Sequence, residues 1–183
     1  MRLLGLIKHA LLRARNKLNP HVASKLLSRH DFSNSRIRTI LRESGLKVGD
    51  GLSLRAPLLL EDGLMISLGN HVWINYDLTG VGAGHIEIGD RVLIGPHVTL
   101  VTANHPLDPL ERAKPHRVEH GKITIGENAW IGANVTICSD VRIGKNSVIG
   151  AGSVVTRNIP DNVLAAGVPC KPIRLLDTAR DST

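Results

Sequence analysis

The stretch ITIGENAWIGANVTICSDVRIGKNSVIGAGSVV, Ile123 to Val155, places an aliphatic residue at every sixth position: Ile125, Ile131, Ile137, Ile143, Ile149 and Val155. Glycine follows four of them, at 126, 132, 144 and 150, and a small or aliphatic residue stands four places after, as at Ala129, Val135 and Ser147. A period of six is neither the helical repeat nor the simple alternation of an ordinary strand. Two inward positions and one glycine per six residues describe a short strand followed by a sharp bend. Repeated at a fixed period, they describe a solenoid of parallel strands in which each coil buries its inner face on the next.

The same spacing extends toward the N-terminus through Ile88, Ile94 and Leu100, through Leu68 and Ile74, and back to Val48, Leu54 and Leu60. Gly80 is the one slot in the series with no aliphatic side chain. Extra residues between Leu60 and Leu68, and between Gly80 and Ile88, widen corners without losing register. The run TANHPLDPLERAKPHRVEH, Thr102 to His120, is too long for that and leaves the coil as a loop before the repeat resumes at Ile125. Past Val155 the pattern fades through RNIPDNVLAAGVPCKPIRLL, where Pro160, Pro169 and Pro172 oppose regular strands. The chain divides into an N-terminal helical segment (1–45), a β-helix domain (46–176) with the extruded loop 102–120, and a frayed tail (177–183).

Ahead of the repeat, MRLLGLIKHALLRARNKL has Leu3, Leu4, Ile7, Leu11 and Leu18 at helical spacing, with Lys8, Arg13, Arg15 and Lys17 interleaved. Lys8 leaves the apolar run too short for a signal core or a membrane span. Two readings stay open for this helix: packing on the domain or a neighbouring subunit, or lying on a membrane surface. A second helix is predicted from about Ser35 to Ser44, capped by Ser33 or Asn34 and stopped by Gly45.

With 183 residues, 42% of them hydrophobic, the chain suits one main domain. One Phe, one Tyr and two Trp cannot make an aromatic core, so the interior must be Ile, Val, Leu and Ala. A net charge of +7 favours anionic ligands without choosing among nucleic acid, phosphorylated cofactors and lipid. Cys138 and Cys170 have neither CxxC spacing nor the density of a disulfide scaffold, which fits a reducing compartment, the cytoplasm.

The region from Ile123 to Arg174, together with INYD at 74–77 and NHP at 104–106, resembles the hexapeptide-repeat acyltransferases, in the branch of galactoside, maltose and nodulation-factor O-acetyltransferases. The resemblance spans Val48 to about Leu175. It implies an all-β fold, a left-handed parallel β-helix with triangular coils, against the usual right-handed crossover rule. It also implies a homotrimer with active sites between subunits, acetyl-CoA as acyl donor, a sugar or glycan acceptor, and no nucleic-acid partner.

Acyl transfer to a hydroxyl needs a base, and imidazole titrates near neutral pH. Among nine histidines, His105 in ANHPL matches the family's catalytic histidine and its flanking proline. Asn75 in WINYD stands where other coils carry glycine; asparagine also tolerates a tight corner, but the resemblance makes it a contact to the acceptor that stabilises the transition state. For the cofactor the matching positions are Trp130 at the groove, Ala133 and Ala151 along the pantetheine arm, Thr156 and Arg157 in the next coil, and Lys171 and Arg174 in the C-terminal signature. His116 and His120 are four apart, but Pro115 and Gly121 argue against a helix, so no metal site is assigned. His85 and His97 are expected at solvent-facing corners.

The sequence also departs from the family. Glu61 replaces a serine expected near the acceptor, and Ala83 replaces an acidic residue, so the acceptor stays open: a nucleotide sugar, a free sugar or a lipid-linked glycan for surface polysaccharide. The basic N-terminal helix mildly favours an acceptor at the inner membrane surface. The primary reading is a coenzyme A-dependent O-acetyltransferase with His105 as base and no covalent enzyme intermediate. Two alternatives are a carbonic anhydrase-like zinc hydratase, which would need three histidine ligands, and a non-catalytic hexapeptide subunit, against which His105, Asn75 and the basic signature speak jointly.

Overall fold

A computed structural model describes residues 18–28 and 32–177. The helix expected over Leu3–Leu18 and nearly all of the tail lie outside them. Helix α1 (Pro20–Leu27) and helix α2 (Asn34–Glu43) pack on the first coil. The sequence reading missed α1, although Asn19 caps it by accepting from Val22 N and Pro20 stands in its first turn, an arrangement that favours a helix start. His21 Nδ1 and Ser24 reach the backbone of Leu60, and so close the otherwise open end of the solenoid. Helix α2 matches its predicted span to within a residue, and Gly45 follows it with φ +92°.

From Lys47 onward the chain visits three parallel sheets in turn and climbs one rung per circuit. The first face runs from Lys47–Val48 through Met65–Leu68, His85–Ile88 and Lys122–Ile125 to Arg142–Ile143. The second stacks Ser53–Leu54, Trp73–Ile74, Leu93–Ile94, Trp130–Ile131, Val148–Ile149 and Val163–Ala166. The third stacks Leu58–Leu60, Leu78–Val81, Thr99–Val101, Thr136–Ile137 and Val154–Val155. This is the left-handed parallel β-helix, with α1 and α2 at its N-terminal end.

The six-residue series is the core. Each of its aliphatic members is buried, from Val48 at 8% exposure beside the first coil's end to Ile131, Ile137 and Ile143 at 0%. Full burial of one such side chain contributes about 1.5–3 kcal/mol, and the registers Val48↔Leu68, Leu68↔Ile88 and Ile125↔Ile143 keep them in one stack. The Gly80 slot is filled from the widened corner: a Cβ there would lie 2.3 Å from Leu64 Cδ2.

The glycines do a different job from the one expected of them. The left-handed bend falls two residues later, at His71, Asp77, Arg91, His97, Asn128, Asn134, Asp140 and Asn146, with φ between 56° and 63°. Asn and Asp tolerate that region better than other non-glycine residues. The glycine directly after the buried aliphatic is required by proximity: a Cβ on Gly95 would sit 2.7 Å from Ala133 N, and one on Gly132 2.6 Å from Ala151 N.

This glycine recurs at the first-to-second corner and, from Gly95 on, at the second-to-third. It is missing from the third-to-first corner, where Glu61, Val81, Val101, Cys138 and Thr156 stand instead. All three insertions of the sequence, including the long one, fall at that roomier corner. The long one is a hairpin in which Ala103–Asn104 pairs antiparallel with Glu119–His120.

The end of the chain corrects the sequence reading. The coil continues past Val155, with Ile159 bridging Ile143 and Val163–Ala166 pairing with Val148–Ile149. Lys171–Leu175 then returns antiparallel along Val163–Ala166. Pro172 is accommodated because this is the outermost strand of its sheet, where a missing N–H breaks no ladder.

The close approach of coils predicts a strong response to one methyl group. Gly126→Ala would set its Cβ against Lys145 N at 2.7 Å and Gly144 C at 2.9 Å, both backbone. A loss of about 1–3 kcal/mol in urea or thermal unfolding is expected, the range for overpacking; an unchanged midpoint would refute the proximity account.

Candidate active site

The outward residues of the three faces differ in chemistry. On the first face they are polar or charged apart from Met65, and Lys122 Nζ lies 2.8 Å from Glu87, whose carboxyl it holds below the usual range by hydrogen bonding. On the third face they are Leu59, Thr79, Thr99, Thr136 and Val154, without a charge. On the second they form an apolar column, Trp73, Leu93, Trp130, Val148 and Leu164, each in register with the next.

Beside that column runs a groove of about 700 Å³, whose other wall is the second-to-third corner at Asn75, Gly95, Pro96, Gly132, Ala133 and Ala151. Glycine at 95, 132 and 150 exposes backbone to the groove and keeps it narrow. Among the described residues lining it, Asn75 has the only side-chain amide. Its Oδ1 accepts from Tyr76 N at 2.9 Å. That bond fixes the amide and leaves Nδ2 as a donor.

His105 stands on the hairpin at the third-to-first corner and is exposed. Its Nδ1 lies 3.1 Å from the carbonyl oxygen of Arg117. A carbonyl only accepts, so Nδ1 carries the proton in this contact, and in the neutral ring Nε2 is the acceptor. The hairpin braces itself. Asp108 caps the short helix α3 (Pro109–Arg112) by accepting from Leu110 N and Glu111 N, Arg112 donates to the carbonyls of Pro106 and Leu107, and Glu111 pairs with both Lys114 and Arg117.

Of the residues singled out from sequence, Asn75, Trp130, Ala133 and Ala151 line one groove. Lys171 and Arg174 lie on the outermost strand of the second face, opposite Ala166 and Leu164, and Leu164 ends the groove. Thr156 and Arg157 lie elsewhere, at the third-to-first corner with the hairpin of His105. Third-face strands such as Leu78–Val81, four residues and about 13 Å long, separate that corner from the corner of Asn75. A single chain therefore leaves His105 and Asn75 apart.

Sequence reasoning missed Trp73, Leu93, Val148 and Leu164. The signal was available for three of them: each immediately precedes a buried aliphatic of one face, as in WI, LI and VI, where the first face has charged or polar residues. His97 is at a corner as expected, 3.2 Å from Asp77, whereas His85 begins a strand. His120 Nδ1 accepts from Ala83 N, and Glu61 Oε2 accepts from Gly82 N at 2.5 Å. No group of three His, Cys, Asp or Glu side chains able to hold a metal occurs among the described residues. Cys170 is buried, which pushes its thiol up.

Residues 122–157 match the family model described as bacterial transferase hexapeptide, six repeats. The galactoside O-acetyltransferase of Escherichia coli K12 is 42% identical over 79% of this chain and 71% of its own. Among solved structures, a galactoside acetyltransferase in complex with coenzyme A superposes with a TM-score of 0.77 at 36% identity, covering 92% of this chain and 82% of that one. A hexapeptide-repeat acetyltransferase of Vibrio cholerae complexed with acetyl coenzyme A gives 0.75 at 29% identity, over 86% and 87%.

The chain's two tryptophans, Trp73 and Trp130, both line the groove. An occupant of the groove must therefore alter the whole intrinsic emission. A ligand that binds by calorimetry yet leaves that emission untouched binds elsewhere.

Proposed function

This chain belongs to the hexapeptide-repeat acyltransferases of the galactoside O-acetyltransferase branch, and on that premise we propose that it transfers acetyl from acetyl-CoA to a hydroxyl of a sugar or glycan precursor. The observation that carries the mechanism is the fixed polarity of two side chains: His105 with Nε2 as acceptor, and Asn75 with Nδ2 as donor. Nε2 takes the hydroxyl proton while the acceptor oxygen attacks the thioester carbonyl. Asn75 donates to the oxygen that becomes negative. Collapse breaks the carbon–sulfur bond, and the imidazolium returns its proton to the leaving thiolate. The proton balance closes without a covalent enzyme intermediate, in keeping with the burial of Cys170.

Coenzyme A occupies the groove in this reading, its arm between Trp130 and the corner at Ala133 and Ala151. Lys171 and Arg174 meet its phosphates at the Leu164 end, as guanidinium and ammonium groups do. The separation of His105 from Asn75 supports a homotrimer in which a neighbouring copy brings the hairpin, and with it Thr156 and Arg157, to the groove. The uncharged third face supports the same arrangement. The β-helix domain, 46–176, then carries the chemistry, and 1–45 caps it.

For the acceptor, the corner below the hairpin presents Glu61 where the resemblance leads one to expect a serine and Ala83 where it leads one to expect an acidic residue, and the N–H of Ala83 donates to His120 Nδ1. None of the helices among the described residues is long and apolar enough to cross a membrane. The basic, apolar sequence ahead of Asn19 favours a cytoplasmic enzyme working at the inner membrane surface on a precursor of surface polysaccharide.

Thiol release from acetyl-CoA, screened over free sugars, nucleotide sugars and glycolipids, tests the reading. His105→Ala should lose about 10²- to 10⁴-fold in kcat, the contribution of a positioned general base, with an unaltered oligomer mass. Unchanged turnover would remove His105 from the mechanism. Lys171→Ala with Arg174→Ala should raise the Kd for coenzyme A at least tenfold, more than a solvated surface charge contributes; an equal Kd takes the pair out of the site.

A further inference from the structure

The groove has a direction and an end. Its cations stand beside Leu164, and its one side-chain amide, Asn75, stands at the opposite limit with Trp73. Phosphates drawn to the first end leave the acyl group at the second. Below Trp73 the column continues for one more rung, where the in-register residue is Ser53, whose Oγ accepts from Asn34 Nδ2 of helix α2 at 3.3 Å. Ser53 does not line the groove. Trp73, 41% exposed, stands on the last rung of the groove, directly in register with Ser53 on the next.

We propose that Trp73 sets the length of the acyl group the enzyme accepts, closing the groove one rung short of Ser53. The inference rests on the acyl-CoA reading above and adds to it the choice of donor. A rung is about 4.8 Å, room that an acetyl methyl does not need and a hexanoyl chain does. With the indole in place, a longer chain must leave the apolar column for solvent. Without it, the chain can lie between Leu93 and Ser53 and exchange water for apolar contact. Each methylene so buried is worth about fourfold in affinity. Trp73 is thus a specificity residue in contact with the acyl group and takes no part in proton transfer.

Calorimetry of the full-length protein with acetyl-CoA and hexanoyl-CoA tests this without knowledge of the acceptor. The wild type should bind acetyl-CoA at least tenfold more tightly than hexanoyl-CoA. Trp73→Ala should shift that ratio toward hexanoyl by about tenfold or more, the sum of a few buried methylenes, and Trp73→Leu by less. The Leu variant keeps the test alive should the Ala variant not fold. A purely structural tryptophan would weaken both donors equally and leave the ratio fixed, which overturns the proposal. So does a wild type that already binds both donors alike. If the wild type binds neither, the acyl-CoA reading itself is wrong.

Discussion

Everything in this molecule follows from how closely successive coils approach. Parallel rungs about 4.8 Å apart leave no space for a Cβ after the buried aliphatic of the first-to-second corner, or, at Gly95 and Gly132, of the second-to-third. The substituent would meet its nearest backbone atom at 2.3–2.7 Å. Register then cannot drift, because a slip of one residue would place a side chain where glycine must be. The left-handed residues at each bend, often Asn or Asp, fix where the chain turns. Asn128, Asn146 and Asn162 also hydrogen-bond one to the next along the stack. The aliphatic interior supplies the favourable free energy; the corners supply the uniqueness.

One corner is exempt, and the chain leaves the stack there. With side chains in place of glycine, the third-to-first corner stands wide enough to let chain out without breaking the stack. Thr102 marks the departure and return: buried, it donates to the Val81 carbonyl, its hydroxyl accepts from Gly84 N, and its own carbonyl accepts from Gly121 N, which rejoins the coil. The excursion is thus anchored by a polar residue of zero exposure. His105 stands three residues beyond that anchor on a paired hairpin, which limits its freedom far more than a loop of that length would.

The period of six made the solenoid legible from the sequence, because the inner positions obey one rule throughout. The role of glycine was misread, since sequence shows which residue lacks a side chain and not whether conformation or proximity demands it. The final coil was misread because prolines oppose strands in general, whereas Pro160 and Pro169 fall between the strands and Pro172 lies on an edge strand that tolerates it. Asn75, Trp130, Ala133 and Ala151 fall in one groove, but the column of Trp73 and Leu93 went unseen. Outward residues have no fixed period of their own, and their alignment appears only once rungs are stacked. Thr156 and Arg157 follow Val155 in sequence, yet a whole face lies between them and the groove.

The two corners also bear on the proposed assembly. A β-helix is rigid, and its faces cannot fold over to bring the corner of His105 to that of Asn75. Rigidity has a return: the hydrogen bond that orients the Asn75 amide is made to the backbone of the stack, and the one that orients His105 to the backbone of the hairpin. Neither side chain has to reorganise when substrates arrive, which is where preorganised groups gain over water. The cost is that assembly must supply what conformational change cannot. In the proposed mechanism reactivity is therefore coupled to association: a groove on one copy holds the donor, and transfer waits on a second copy to bring His105.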